Sequence, residues 1–196
     1  MTQRLDITEH DGLLVIDVQN DFLPGGALAV PDGDAVITPL NRCITFLTEK
    51  DLPVFASRDW HPAGHCSFTG QGGIWPVHCL AGSPGARFAP ALALPEQVVI
   101  ISKATKPERD SYSAFGETEL DALCRLKGIS RLLVGGLATD YCVKNSVLDA
   151  LKLGYEVVVI QEAIRAVDLR PGDGLRAETE MRNAGAVFVS IRDIVQ

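Results

Sequence analysis

Cys142 lies in the segment GLATDYCV, between the apolar run RLLVGGL (131–137) and a helical pattern over 140–153. A thiol in the first turn of a helix meets the positive end of the macrodipole, which favours the thiolate. Backbone N–H groups of that turn lack intrahelical partners and can hold an oxyanion. Thr139 or Asp140 is the expected cap. Taken alone, a single cysteine more often serves as a small buried hydrophobe, so its company matters. Asp17 directly follows LLVI, and Lys103 directly follows VVIIS. A carboxylate or an ammonium at the end of an apolar run is costly unless paired. Asp17 is the candidate general base and acid, Lys103 its counter-charge, and Cys142 the nucleophile. No histidine adjoins Cys142 in sequence, so a Cys–His pair is not signalled.

A second group of residues could hold a metal. Asp59 and His61 are two apart, and such residues of an extended segment point to one side, where they can grip one ion. His78 is the third candidate, and His61, His65 and His78 are three of the four histidines in the chain. Mixed carboxylate and imidazole donors suit zinc, iron or manganese, and three protein ligands leave room for water or substrate. The plainer alternative is a set of surface loop histidines. Cys66 and Cys79 flank them at a spacing that matches no standard zinc ribbon or finger. Phe22, Trp75 and Tyr112 fall in predicted loops, where they could stack on a flat ring or pack locally.

These residues need a frame that brings them together. Apolar runs at 13–18, 53–59, 98–102, 131–137, 157–160 and 186–190 alternate with helical patterns at 34–50, 117–127, 140–153 and 175–184. Runs so continuous predict strands covered on both faces. The β-α-β order predicts an α/β fold, a single doubly wound domain over 1–196 with a mostly parallel six-stranded sheet flanked by helices on both faces. In such sheets ligands bind at the carboxyl edge, and Asp17, Asp59 and Lys103 each end a run while the fourth run leads into Cys142. Residues 60–97, rich in Gly, Pro, His and Trp, break this rhythm; so long an irregular insert is expected to wall the active site. The stretch 104–115 reads as a second irregular loop.

Composition narrows the classes. The chain is 46% apolar and 22% charged, which is ordinary for a globular protein. Its net charge of −7 speaks against a nucleic-acid partner, which wants clustered Lys and Arg. No apolar stretch is long enough to span a membrane, and the polar opening MTQRLDITEHDG lacks a secretory h-region. Five cysteines, widely spaced and without CxxC, read as reduced thiols. A cytoplasmic location is the expectation that follows.

The segments LLVIDVQNDFLPGGALAV (13–30), DWHPAGHCSF (59–68), WPVHCLAGSPGARF (75–88), DSYSAF (110–115) and GLATDYCV (136–143) together closely resemble the nicotinamidase/pyrazinamidase branch of the isochorismatase-like hydrolases. The resemblance runs from Leu13 to about Ser190. It implies hydrolysis of nicotinamide to nicotinate and ammonia through a Cys142 thioester, action on pyrazinamide as well, and a role in NAD salvage. It implies a triad of Asp17, Lys103 and Cys142. It also implies one divalent ion per chain, zinc first with iron or manganese as alternatives, on Asp59, His61 and His78. His65 is either a further ligand or a hydrogen-bonding residue behind the ligands. Phe22, Trp75, Tyr112 and Leu137 become substrate-pocket residues. A cis peptide at Leu137–Ala138 would set the Ala138 and Cys142 N–H groups as an oxyanion hole. The implied partner is a small molecule, with homo-oligomerisation left open. Rival readings are an amidase for carbamoyl or ureido compounds, a vinyl-ether hydrolase and a redox-sensing thiol protein.

Overall fold

The computed structural model describes residues 4–195. Six strands, β1 (Asp11–Ile16), β2 (Val54–Asp59), β3 (Val99–Lys103), β4 (Arg131–Leu137), β5 (Glu156–Arg165) and β6 (Val187–Val189), form one sheet in the order β3-β2-β1-β4-β5-β6. Every neighbouring pair is parallel. This is the doubly wound α/β arrangement expected from the pattern. Among the described residues no helix is long and apolar enough to cross a membrane.

The alternation of side chains along β1 shows how both faces are filled. Leu13 and Val15 join Leu40, Cys43, Ile44 and Leu47 of α1 (Ile37–Thr48) in one core. Leu14 and Ile16 point the other way, into a second core. There they meet Leu120 and Cys124 of α2 (Leu120–Leu126) and Val147 and Ala150 of α3 (Lys144–Lys152). Met181 of α4 (Asp173–Asn183) completes that side. Each fully buried Leu or Ile contributes roughly 1.5–3 kcal/mol, so the two covered faces hold the sheet rigid where it presents its carboxyl edge.

Several boundaries differ from the sequence reading. Helix α1 starts at Ile37, after a 3₁₀ turn at Gly33–Val36. Helix α2 starts only at Leu120, after Glu117 turns the backbone to φ 55°. Strand β5 runs on past 160 because its pairing with β4 slips: Val134 faces Val159, but Gly136 faces Ile164. The polar Gln161 and Glu162 in that bulge concealed the continuation. The insert at 60–97 is irregular, with one short turn at Thr69–Gln71 and isolated bridges from His61 to Leu80 and Phe68 to Trp75.

Candidate active site

The strand order reverses between β1 and β4, the switch point at which open α/β sheets form their crevice. Asp17 leaves β1 there and Cys142 follows β4. The two strands approach closely because of Gly136 (φ 133°), where a Cβ would lie 2.0 Å from the Ile16 carbonyl oxygen. Asp17 itself has φ 49°, a left-handed conformation that Asp tolerates better than most residues. Its side chain turns into the closed space at the sheet edge and is fully buried.

Lys103, at the end of β3, sits at the centre. Its Nζ lies 3.0 Å from Asp17 Oδ2, 2.5 Å from Asp59 Oδ1 and 3.4 Å from Cys142 Sγ, and it also donates to the Ser111 carbonyl at 3.2 Å. Burial works to lower the lysine pKa, but Asp17 and Asp59 outweigh it and hold Lys103 well above its ordinary value, as an ammonium. Burial raises the Asp17 carboxyl; Lys103 opposes this, and the outcome is still above the usual carboxylate value. The two oxygens of Asp17 have different environments. Oδ1 accepts the Ser57 hydroxyl at 2.7 Å, whereas the buried Oδ2 is held by the ion pair with Lys103 alone and keeps a lone pair free to take a proton.

The neighbourhood of Cys142 departs from expectation. Thr139–Val143 form a single π turn leading into α3, its flanking residue is Ala138, and no side chain caps it. Asp140 instead accepts the backbone N–H groups of Val167 and Asp168, each at 2.9 Å, and so ties the turn to the end of β5. The thiol is not lowered, as a helix terminus would have it. Burial raises it well above its ordinary value, against the pull of Lys103. The resting sulfur is therefore a neutral thiol that needs a base. Cys43 and Cys124, each pushed up to about 12 by burial, belong to the two cores.

Asp59, His61 and His78 bring ligand atoms within 4.8 Å of one another, all buried. Both ring nitrogens of His61 are buried without a hydrogen-bond partner, which is costly unless something else occupies them. His78 Nδ1 faces the Pro76 carbonyl at 2.8 Å, so that nitrogen carries the proton and Nε2 is left with a lone pair. Burial lowers His78 and favours the neutral imidazole a metal requires. Burial works to raise Asp59, but Lys103 and His61 hold it below the usual carboxylate range. The set fits a divalent cation by donor type, burial and open valence.

His65 lies outside that set. Its Nδ1 is 2.8 Å from Ser67 Oγ and accepts the Ser67 N–H, while Nε2 donates to the Arg109 carbonyl at 3.1 Å. With both nitrogens engaged it has no lone pair to offer, and its ring packs behind His61 at 4.2 Å between centroids.

Above these groups opens a small, largely apolar pocket lined by Phe22, Trp75, Tyr112, Ala138 and Cys142, beside the three ligand candidates. The Trp75 indole N–H donates to the Tyr112 hydroxyl at 3.0 Å, which fixes both rings. The cis peptide lies at Leu137–Ala138. Leu137 corrects a sequence expectation: its side chain is fully buried in the core on the α1 side and does not line the pocket. Tyr141, Leu28, Val167 and Asp110 do line it and were not singled out from sequence. Tyr141 meets Trp75 edge-on at 4.9 Å; its place beside Cys142 in GLATDYCV was the available signal. Gln19 was missed too. Its amide donates to the Asp59 and Ala86 carbonyls and accepts the Asp59 N–H.

The isochorismatase domain model matches residues 11–193. The chain belongs to the isochorismatase family. Among its relatives, the nicotinamidase of Escherichia coli is 43% identical over 92% of this chain and 95% of that protein. The pyrazinamidase of Pyrococcus horikoshii, solved in complex with zinc, superposes with a TM-score of 0.89 at 45% identity over 92% of this chain and 99% of that one. A protein of L. infantum, solved in complex with nicotinate, superposes with a TM-score of 0.91 at 34% identity over 98% of both chains.

Proposed function

We propose that this isochorismatase-family chain is a nicotinamidase: an amidohydrolase that converts nicotinamide to nicotinate and ammonia, accepts pyrazinamide and serves NAD salvage. The observation that carries this reading is the buried contact of Lys103 Nζ with both Cys142 Sγ and Asp17 Oδ2, at the floor of an aromatic pocket. The relatives named above, which include a nicotinamidase and a nicotinate complex, support the substrate.

In the proposed mechanism Asp17 Oδ2 takes the thiol proton and Cys142 Sγ attacks the carboxamide carbon. The N–H groups of Ala138 and Cys142 receive the oxyanion; one such donor is typically worth about 10²–10³ in rate. The C–N bond breaks as Asp17 returns the proton to the leaving ammonia, and a thioester remains on Cys142. Water then attacks the thioester carbon with Asp17 again as base, the sulfur leaves, and nicotinate is freed. Lys103 holds Asp17 in place and stabilises the thiolate. Phe22, Trp75 and Tyr112 enclose the ring. Asp59, His61 and His78 would hold one divalent ion, zinc being the candidate that suits the donor set. Such an ion would supply a Lewis-acidic partner for the ring nitrogen. A cytoplasmic enzyme acting on this small molecule is the setting we propose.

The test is ammonia release from nicotinamide by metal-analysed protein, together with intact mass after incubation with nicotinamide. Turnover by the wild type, and a folded Cys142→Ala variant with none, are expected. Undiminished turnover by that variant would refute the nucleophile.

A further inference from the structure

The charged side chains at the pocket are unevenly signed. Among the described residues, Asp59 and Asp110 are the carboxylates that line it, and no lysine or arginine does. Lys103, beneath the floor, is already committed to two carboxylates. Asp110 is different from Asp59. It is exposed at the rim, its Oδ1 accepts the Ser111 N–H at 2.9 Å, and it neighbours Tyr112 on the loop whose Ser111 carbonyl is anchored on Lys103. The cations near it in sequence are drawn elsewhere: Lys106 and Arg109 both pair with Glu117, and neither lines the pocket. Asp110 thus lines the pocket mouth without an ion pair of its own, while Lys106 and Arg109 share the adjoining cleft with it and turn to Glu117.

This asymmetry matters because of what the reaction does to charge. On the nicotinamidase reading, a neutral amide enters and an anion must leave. An ion held by Asp59, His61 and His78 would attract that anion, and no protein cation is available to balance a second carboxylate on a substrate. We propose that Asp110 is a specificity-determining residue, a fixed negative charge at the rim that weakens binding of carboxylate ligands relative to neutral ones. It would thereby hasten loss of the product and exclude amides that carry a carboxylate. A like charge across a small, partly solvated pocket changes affinity by about three- to tenfold, and the effect is screened by salt.

The experiment compares inhibition constants for nicotinate and for the neutral pyridine-3-methanol, in the wild type, Asp110→Asn and Asp110→Glu, all loaded with zinc. The quantity read is the ratio of the two constants, which a general loosening of the pocket would leave alone. Asp110→Asn is expected to shift this ratio toward nicotinate by about three- to tenfold, Asp110→Glu to restore it, and 0.5 M salt (roughly a 4 Å screening length) to shrink the difference. An unchanged ratio in Asp110→Asn, with wild-type nicotinamide turnover intact, overturns the role of Asp110 and leaves the nicotinamidase reading standing. Failure of the wild type to release ammonia from nicotinamide overturns both.

Discussion

Lys103 Nζ lies 2.5 Å from Asp59 Oδ1, so the lysine of the acid–thiol group is also the counter-charge of a proposed metal ligand. Both groups are buried, so on the proposed mechanism one ammonium would couple nucleophile activation to the metal site. Substituting Lys103→Met leaves Asp17 and Asp59 without it. Breaking a buried pair from one side costs about 3–5 kcal/mol, and a chain of this size loses roughly 2–4 °C of Tm per kcal/mol. The variant is expected to melt about 10 °C lower and to lose about 10³-fold or more in kcat/KM. Zinc should recover part of the Tm and none of the activity. Thermal unfolding with and without zinc, beside an ammonia assay, checks this; wild-type kcat/KM would contradict it.

The raised carboxyl of Asp17 has a direct consequence for pH. Burial lifts it and Lys103 only partly offsets the lift. A general base must be ionised to accept the thiol proton, so activity falls as pH drops through that raised value. The acid limb of kcat/KM is therefore expected above about pH 4, the ordinary position of an aspartate. Metal content must be assayed at each pH, because protonated histidines release metal. A profile that stays flat down to about pH 4 at full metal occupancy would remove Asp17 as the base.

The three histidines are expected to separate by role. His61 has two unpartnered nitrogens and His78 one engaged nitrogen, whereas both of His65 are engaged. His61→Ala and His78→Ala should abolish stoichiometric zinc binding. His65→Ala should keep it with affinity about 10–100-fold weaker, the usual effect of losing a group that orients a ligand. Zinc titration of the apoproteins reads all three. Abolished binding in His65→Ala, with binding kept in His61→Ala, would reverse the assignment.

Much of this arrangement was legible in the chain because strand ends are legible. Apolar runs that stop at Asp17, Asp59 and Lys103 reveal both the sheet and the edge where its chemistry gathers. What stayed hidden depends on contacts between distant segments. Ser57 reads as one more small residue in β2 until its hydroxyl meets Asp17, 40 positions away. Asp140 looks like a helix cap, but the backbone at Val167 and Asp168 claims its oxygens. Leu137 belongs to the cis peptide, yet its side chain serves the core. Periodicity carries no trace of these choices, which are settled when the layers pack.

Gln19 shows how far such hidden contacts govern the site. Its buried amide makes three hydrogen bonds, two of them to the backbone of Asp59 and one to Ala86, so it fastens the end of β2 to the insert. In Gln19→Ala the Asp59 N–H and two carbonyls lose their partner. Each unsatisfied buried group costs about 1–3 kcal/mol, less whatever water recovers, so a loss of about 2–4 kcal/mol is expected. Gln19 touches none of the proposed reacting groups by its side chain, so the damage to catalysis should pass through Asp59. Zinc affinity should fall about tenfold or more, and saturating zinc should bring kcat back to within a few-fold of the wild type. His61→Ala should not be rescued in this way, because there the ligand itself is gone. Equilibrium unfolding and zinc-dependent turnover measure the two effects separately. A kcat that stays low at full zinc occupancy would mean that Gln19 acts on the chemistry by some route other than the position of Asp59.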